Sequence, residues 1–234
     1  MSAGALVPEV RDRIVPEITE VAGAYLLVEV ALWSSRSAQV VWAAALAVWV
    51  IWSTKRSPRT PSELGITAAG IWPSFWIVGA AAIASSLIIS GACYIGGIQA
   101  LHLDRPLWPA LAYSLWALVQ QFLAQSFIFV RLEAVLGGRL AIACAGLLFA
   151  VAHIPNLVLM PATLVAGVIF ALAFRRYRNV YTLGLAHALL GLTLAVSLPV
   201  SATHRMRVGA AYGSGFSDSH SMFLVDRQQQ NRSK

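Results

Sequence analysis

Long apolar runs, separated by short stretches that carry arginine, lysine or proline, constrain this chain more than any other feature of its sequence. A hydrocarbon layer about 30 Å thick takes roughly 20 residues of helix to cross, and the chain can be cut on that ruler. Of its 234 residues 58% are hydrophobic and 12% charged, against roughly 25% charged in an average soluble domain. The sequence therefore predicts an integral membrane protein, all-α, folded as a polytopic transmembrane helix bundle of about seven spans.

The predicted segments are residues 18–33, 38–52, 71–98, 107–130, 140–153, 157–174 and 180–198. The first is short and carries Glu20 and Glu29, so it reads equally as an interfacial amphipathic helix. This divides the chain into an N-terminal arm at 1–17, a helix bundle at 18–199 and a polar tail at 200–234, the tail being flexible or held by a partner. Residues 1–19 interleave Arg11 and Arg13 with Glu9, Asp12 and Glu17 and are broken by Pro8 and Pro16, unlike the basic start of a secretory signal.

A net charge of +7 would suit nucleic acid, but the basic residues sit in short clusters at the ends of apolar runs. That is the distribution of snorkelling and orientation signals, so no nucleic-acid partner is expected and the lipid bilayer is the principal one. Lys55, Arg56, Arg59, Arg131, Arg139, Arg175, Arg176 and Arg178 fall on one side, and Arg36 and Arg105 on the other. The positive-inside rule puts the first set in the cytoplasm and the C-terminal tail outside it, in a cell membrane of the bacterial inner-membrane kind. Cys93 and Cys144 lie inside apolar segments without metal-type spacing and read as small buried hydrophobes. Trp33, Trp52, Trp72, Trp76 and Trp108 stand near span ends, as interface belts do.

Polar side chains inside the runs are the candidate site: Gln120, Gln121 and Gln125 in one, His153 at the end of the next, and His187 in the last. Such groups are costly in lipid unless they meet one another, backbone carbonyls or water, so they point to one polar pocket inside the bundle. Gln121 and Gln125 share a helix face, as do Phe149 and His153, and His187 and Gly191. The same pattern also fits simple interhelical hydrogen bonding, worth roughly 0.6 to 2 kcal/mol per bond in membranes. Gly146, Gly167, Gly184 and Gly191 fit close helix approach.

These residues resemble the CAAX protease and bacteriocin-processing family, glutamic-type intramembrane endopeptidases also called CAAX prenyl protease type 2. Phe149-Ala150-Val151-Ala152-His153 matches its Phe-x-x-x-His motif, and the segment from Arg178 to His187 resembles its last motif. Its first motif, Glu-Glu-x-x-x-Arg, aligns with Gln120-Gln121-Phe122-Leu123-Ala124-Gln125. The resemblance covers about 107–198. It implies a site in which Gln120, Gln121, His153 and His187 hold the catalytic positions and Gln125, Phe149 and Gly191 the substrate-facing ones. In the family a glutamate activates water, while the histidines and an Asn, at the position of Gly191 here, orient it and stabilise the oxyanion.

An amide has no proton-accepting state near neutral pH, so neither Gln can be a general base. Exchanging two acids and their arginine together keeps a polar network while removing its charge, since a lone buried charge is costly. Three functions follow as expectations. One is an endopeptidase with an altered site, using His153 or His187 as base. Another is a non-catalytic relative that binds membrane peptides or serves as a subunit or scaffold of a membrane complex. In the third, His153 or His187 ligates a metal, haem or chlorophyll-type pigment. No cofactor is required by the resemblance, and water is expected in the pocket.

Overall fold

The computed structural model describes residues 8–95 and 107–213, with side chains from Ile14 onward. Those residues form the helices α1 (Pro8–Trp33), α2 (Arg36–Arg56), α3 (Trp76–Tyr94), α4 (Trp108–Leu136), α5 (Gly138–Val151), α6 (Leu159–Tyr177) and α7 (Val180–Ser197). The chain is an all-α polytopic bundle. α2, α3, α4, α6 and α7 are long and apolar enough to cross a membrane; α5 is apolar but has only 14 residues. The end of the predicted 71–98 segment and the stretch 214–234 of the tail lie outside the described residues.

Two expected boundaries move. α1 begins at Pro8, inside the stretch read as an N-terminal arm, and runs 26 residues with Pro16 inside it. Glu20, which weakens α1 as a lone span, is paired: its carboxylate accepts a 2.6 Å hydrogen bond from Arg131 Nε on α4. Arg131 is wholly buried, its guanidinium 3.7 Å from the centre of the Phe127 ring and donating to the Phe127 carbonyl at 3.1 Å. Arg59 completes the group through a 2.7 Å bond to Glu17. At the C-terminus, residues 200–213 of the tail expected to be flexible or held by a partner are docked on the bundle.

Two apolar clusters make the core. One gathers Phe129, Phe170, Phe174, Leu183 and their neighbours from α3 to α7, with Phe129 and Phe174 edge to face at 6.0 Å. The other joins α1 and α2 to α4 through Val21, Ala24, Val50, Phe127 and Ile128. α5 and α6 approach closely where Gly146 meets Gly167: a Cβ on Gly167 would stand 3.0 Å from the Gly146 Cα.

Turn chemistry fixes the end of the bundle that carries the basic residues. Asn179, buried, caps α7 by accepting from the Thr182 N–H at 3.1 Å, just after Arg178 in the left-handed region at φ 46°. Glu133 takes Arg175 at 2.9 Å and Arg178 as ion-pair partners. In the loop before α3, Glu63 accepts from the Thr60 N–H at 2.7 Å and hydroxyl at 2.9 Å, which hold its carboxyl below the usual range.

Breaking the Arg131 pair should leave Glu20 stranded, and such losses cost about 3 to 5 kcal/mol. Arg131→Met is therefore expected to lower thermal stability in detergent by that order, and Arg131→Met with Glu20→Gln to recover most of it. Equal unfolding midpoints for the single and double variants would remove the pair from this role.

Candidate functional site

Residues 122–129 of α4, Phe122–Phe129, are π-helical, and the stretch begins at the residue after Gln121. Isolated π turns inside α-helices recur at functional sites. Five consecutive residues, Gln125 to Phe129, are buried there, so this part of α4 is surrounded by protein on all sides. Its polar side chains must find partners inside the bundle.

They do so in a chain of amides. The Gln125 amide nitrogen donates to Gln121 Oε1 at 3.5 Å, and the Gln121 amide nitrogen donates to His187 Nδ1 at 3.1 Å. Accepting at Nδ1 leaves the His187 proton on Nε2. Gln121 and Gln125 are both essentially inaccessible, and the pairing joins α4 to α7. Gln125 Oε1 and the neighbouring Ser126 hydroxyl are buried without a hydrogen-bond partner among the described residues. The shared face of Gln121 and Gln125 is thus as the sequence spacing implies.

Gln120 goes elsewhere. Successive helix residues point about 100° apart, so the neighbour of Gln121 faces away from His187. Gln120 lines a cavity of about 400 Å³ enclosed by α1, α2, α4 and α5. Its walls are apolar, among them Leu46, Phe122, Leu123 and Leu148, and the polar side chains that reach it are Gln120, His153 and Tyr25. No carboxylate is among the described residues that line it. The exposed members of the lining are Ala43, Ala47 and Ile51 on α2 and Trp116 and Val119 on α4, which puts the mouth between those helices, facing the bilayer.

His153 sits in the turn after α5, where its Nδ1–H donates to the Phe149 carbonyl at 2.7 Å. A carbonyl only accepts, so a neutral His153 carries its lone pair on Nε2. Phe149 is the partition between the two halves of the site. Its ring lines the cavity and stands edge on to both imidazoles, 5.0 Å from His153 and 5.6 Å from His187, with Phe170 closing the far side of His187 at 6.1 Å. Both histidines therefore lie in one layer, a point that helix counting leaves open. Among the described residues no three His, Cys, Asp or Glu side chains converge as a metal-holding group.

Sequence reasoning missed Tyr113. A Cβ on Gly191 would lie 1.8 Å from its hydroxyl, so the phenol from α4 fills the volume beside Gly191 where the resemblance puts an Asn. The signal was available only in part: Tyr113 is eight residues, about two turns, before Gln121. Tyr25 was missed too; its hydroxyl donates to the Leu148 carbonyl at 3.1 Å and ties α1 to α5 across the cavity.

Fold and site together define an integral membrane protein with a polar centre buried between its helices and an apolar cavity beside it. Residues 102–193 match the family model of the Type II CAAX prenyl endopeptidase Rce1-like proteins, a stretch short of half the chain. Over that stretch the chain is similar to this CAAX protease-like family. No curated protein and no solved structure matches it.

Because the phenol occupies its space, Gly191→Asn should be destabilising by about 1 to 3 kcal/mol, the usual cost of overpacking. Adding Tyr113→Ala should return most of the loss in thermal unfolding. A Gly191→Asn protein as stable as the native one would mean that Tyr113 does not fill this space.

Proposed function

We propose that this chain is a non-hydrolysing member of its family that holds an apolar, membrane-embedded peptide or lipid-modified chain in the cavity between α1, α2, α4 and α5. The observation that carries this reading is the lining: about 400 Å³ of apolar wall with Gln120, His153 and Tyr25 as its polar side chains. A volume of that order is typical of pockets that enclose a small ligand. The mouth faces the bilayer, which suits a chain arriving sideways from lipid.

The chemistry argues against hydrolysis. A peptide bond needs a base to take a proton from water, and the family's acid positions hold Gln120 and Gln121. Gln121 is also fully engaged, giving to His187 and accepting from Gln125. What remains is hydrogen-bond recognition: Gln120 can both donate and accept, and neutral His153 offers Nε2 as an acceptor. A peptide backbone in an apolar cavity, with an N–H to give and a carbonyl to accept, needs partners of this kind.

A second reading has one observation in its favour. His153 lines the cavity and has its Nδ1 proton anchored on a backbone carbonyl, the arrangement that orients an imidazole for general-base work. In that reading His153 replaces the missing acid. On orientation, we take the end of the bundle with Arg59, Arg131, Arg175 and Arg178 as cytoplasmic and the end with His153 as extracytoplasmic.

The test uses the purified protein in lipid nanodiscs and a fluorescent farnesylated peptide. Retention is expected without product, and Ala47→Trp, which narrows the mouth from α2, should weaken it by roughly tenfold, equivalent to 1.4 kcal/mol. Retention that ignores Ala47→Trp would remove the cavity from the binding role. Product that disappears in His153→Ala would establish the second reading instead.

A further inference from the structure

The cavity has an end wall that the family match does not include. After α7 the chain turns back over the bundle, and Val208 reaches the cavity beside Ala152 and His153. Residues 200–213 form this strap from one short α-helical turn and two 3₁₀ turns, at the end of the bundle opposite the basic cluster.

One side chain fastens it. Asn156, wholly buried, donates from its amide nitrogen to the carbonyls of Thr203 at 2.8 Å and Arg207 at 3.1 Å. Its oxygen accepts from the backbone N–H groups of Val158 at 3.2 Å and Leu159 at 3.1 Å. Every hydrogen-bonding site of the amide is thus used, half on the strap and half on the start of α6. Asn156 lies three residues after His153, so the clasp and the cavity histidine share one turn.

A second attachment lies at Gly209, bonded to the turn after α5 and packed against α1. Gly209 donates its N–H to the Ile154 carbonyl at 2.8 Å, and a Cβ at this position would come within 2.2 Å of the Leu32 carbonyl. Its φ of +56° is also one that residues with side chains rarely adopt. Between clasp and attachment, His204, Arg205 and Met206 all have left-handed φ, at 47°, 58° and 61°. Consecutive non-glycine residues in that region are strained. The strap is therefore held down, by the Asn156 and Gly209 hydrogen bonds among other contacts, against a backbone that gains from release.

We infer that residues 200–213 are the removable end wall of the cavity, with Asn156 as the clasp and Val208 as the side chain that stops an apolar chain from passing beyond His153. This rests on the cavity being the binding site proposed above. A closed strap leaves lateral entry from lipid between α2 and α4 as the route in; an open strap joins the cavity to water beside His153. The strap thus decides whether a bound chain ends inside the protein or emerges on the aqueous side.

The test is thiol labelling in nanodiscs. Ala152→Cys, in a protein with Cys93→Ala and Cys144→Ala, places one thiol on the cavity wall, and a membrane-impermeant maleimide reports water access to it. Asn156→Ala should raise the labelling rate about tenfold or more, since two hydrogen bonds from a buried amide are lost. Gly209→Val reaches the same end by a different contact and keeps the test open if Asn156→Ala fails to fold. Hydrogen exchange over 200–213 should rise in both variants. Faster exchange with unchanged labelling would overturn the strap as the wall, and unchanged exchange in Asn156→Ala would overturn the clasp. Native protein that retains no peptide while keeping this labelling contrast would count against the proposed function alone.

Discussion

The buried pairing of Arg131 with Glu20 joins α1 to α4, and the cavity owes one of its walls to that join. α1 supplies Tyr25, Val28, Ala31 and Leu32 to the lining, and none of these would face a closed space if α1 lay flat at the membrane surface. A guanidinium with no access to solvent needs both a counter-charge and hydrogen bonds. Glu20, the Phe127 carbonyl and the face of the Phe127 ring supply these from two helices for Nε and Nη1, while Nη2 is buried without a hydrogen-bond partner among the described residues. Towards the other end of α1 the strap packs closely on Leu32, so the helix is held by the ion pair, by that close packing and along its length by Val21 and Ala24.

The site is divided by Phe149. On one side Gln125, Gln121 and His187 pass hydrogen bonds along a closed line; on the other Gln120 and His153 face an apolar cavity. The division matters because the two halves have different work. The amide line between α4 and α7 holds helices together, each bond contributing roughly the 0.6 to 2 kcal/mol usual in membranes. In the function proposed above, the polar groups at the edge of the apolar cavity recognise the bound chain. No charged side chain lines the cavity among the described residues and the amide line is itself uncharged; the acid Glu29 stands beside Tyr25, outside the lining.

Much of this was legible in the sequence because lipid simplifies the rules. Apolar runs had to be helices, and their lengths gave the bundle; the i, i+4 spacing of Gln121 and Gln125 gave their shared face. The limits are equally physical. α1 looked weak because Glu20 counts against a lone helix, and its partner Arg131 lies 111 residues away. Arg131 itself read as a flank signal, since burial cannot be seen in a charge. The docked strap was hidden in a polar composition that resembles a flexible tail, and the contacts that hold it, the Asn156 amide and the Gly209 N–H among them, are placed by tertiary structure. Tyr113 beside Gly191 could not be found either, because the contact joins two helices whose register only packing sets.

The central claim is that amides at Gln120, Gln121 and Gln125 leave a binding site without hydrolytic power. It is tested most directly by measuring turnover of a lipid-modified peptide, by mass detection of product, for the native protein and for Gln120→Glu with Gln121→Glu and Gln125→Arg. We expect product from the substituted protein and none from the native one. Product from the native protein that vanishes in His153→Ala would contradict the account.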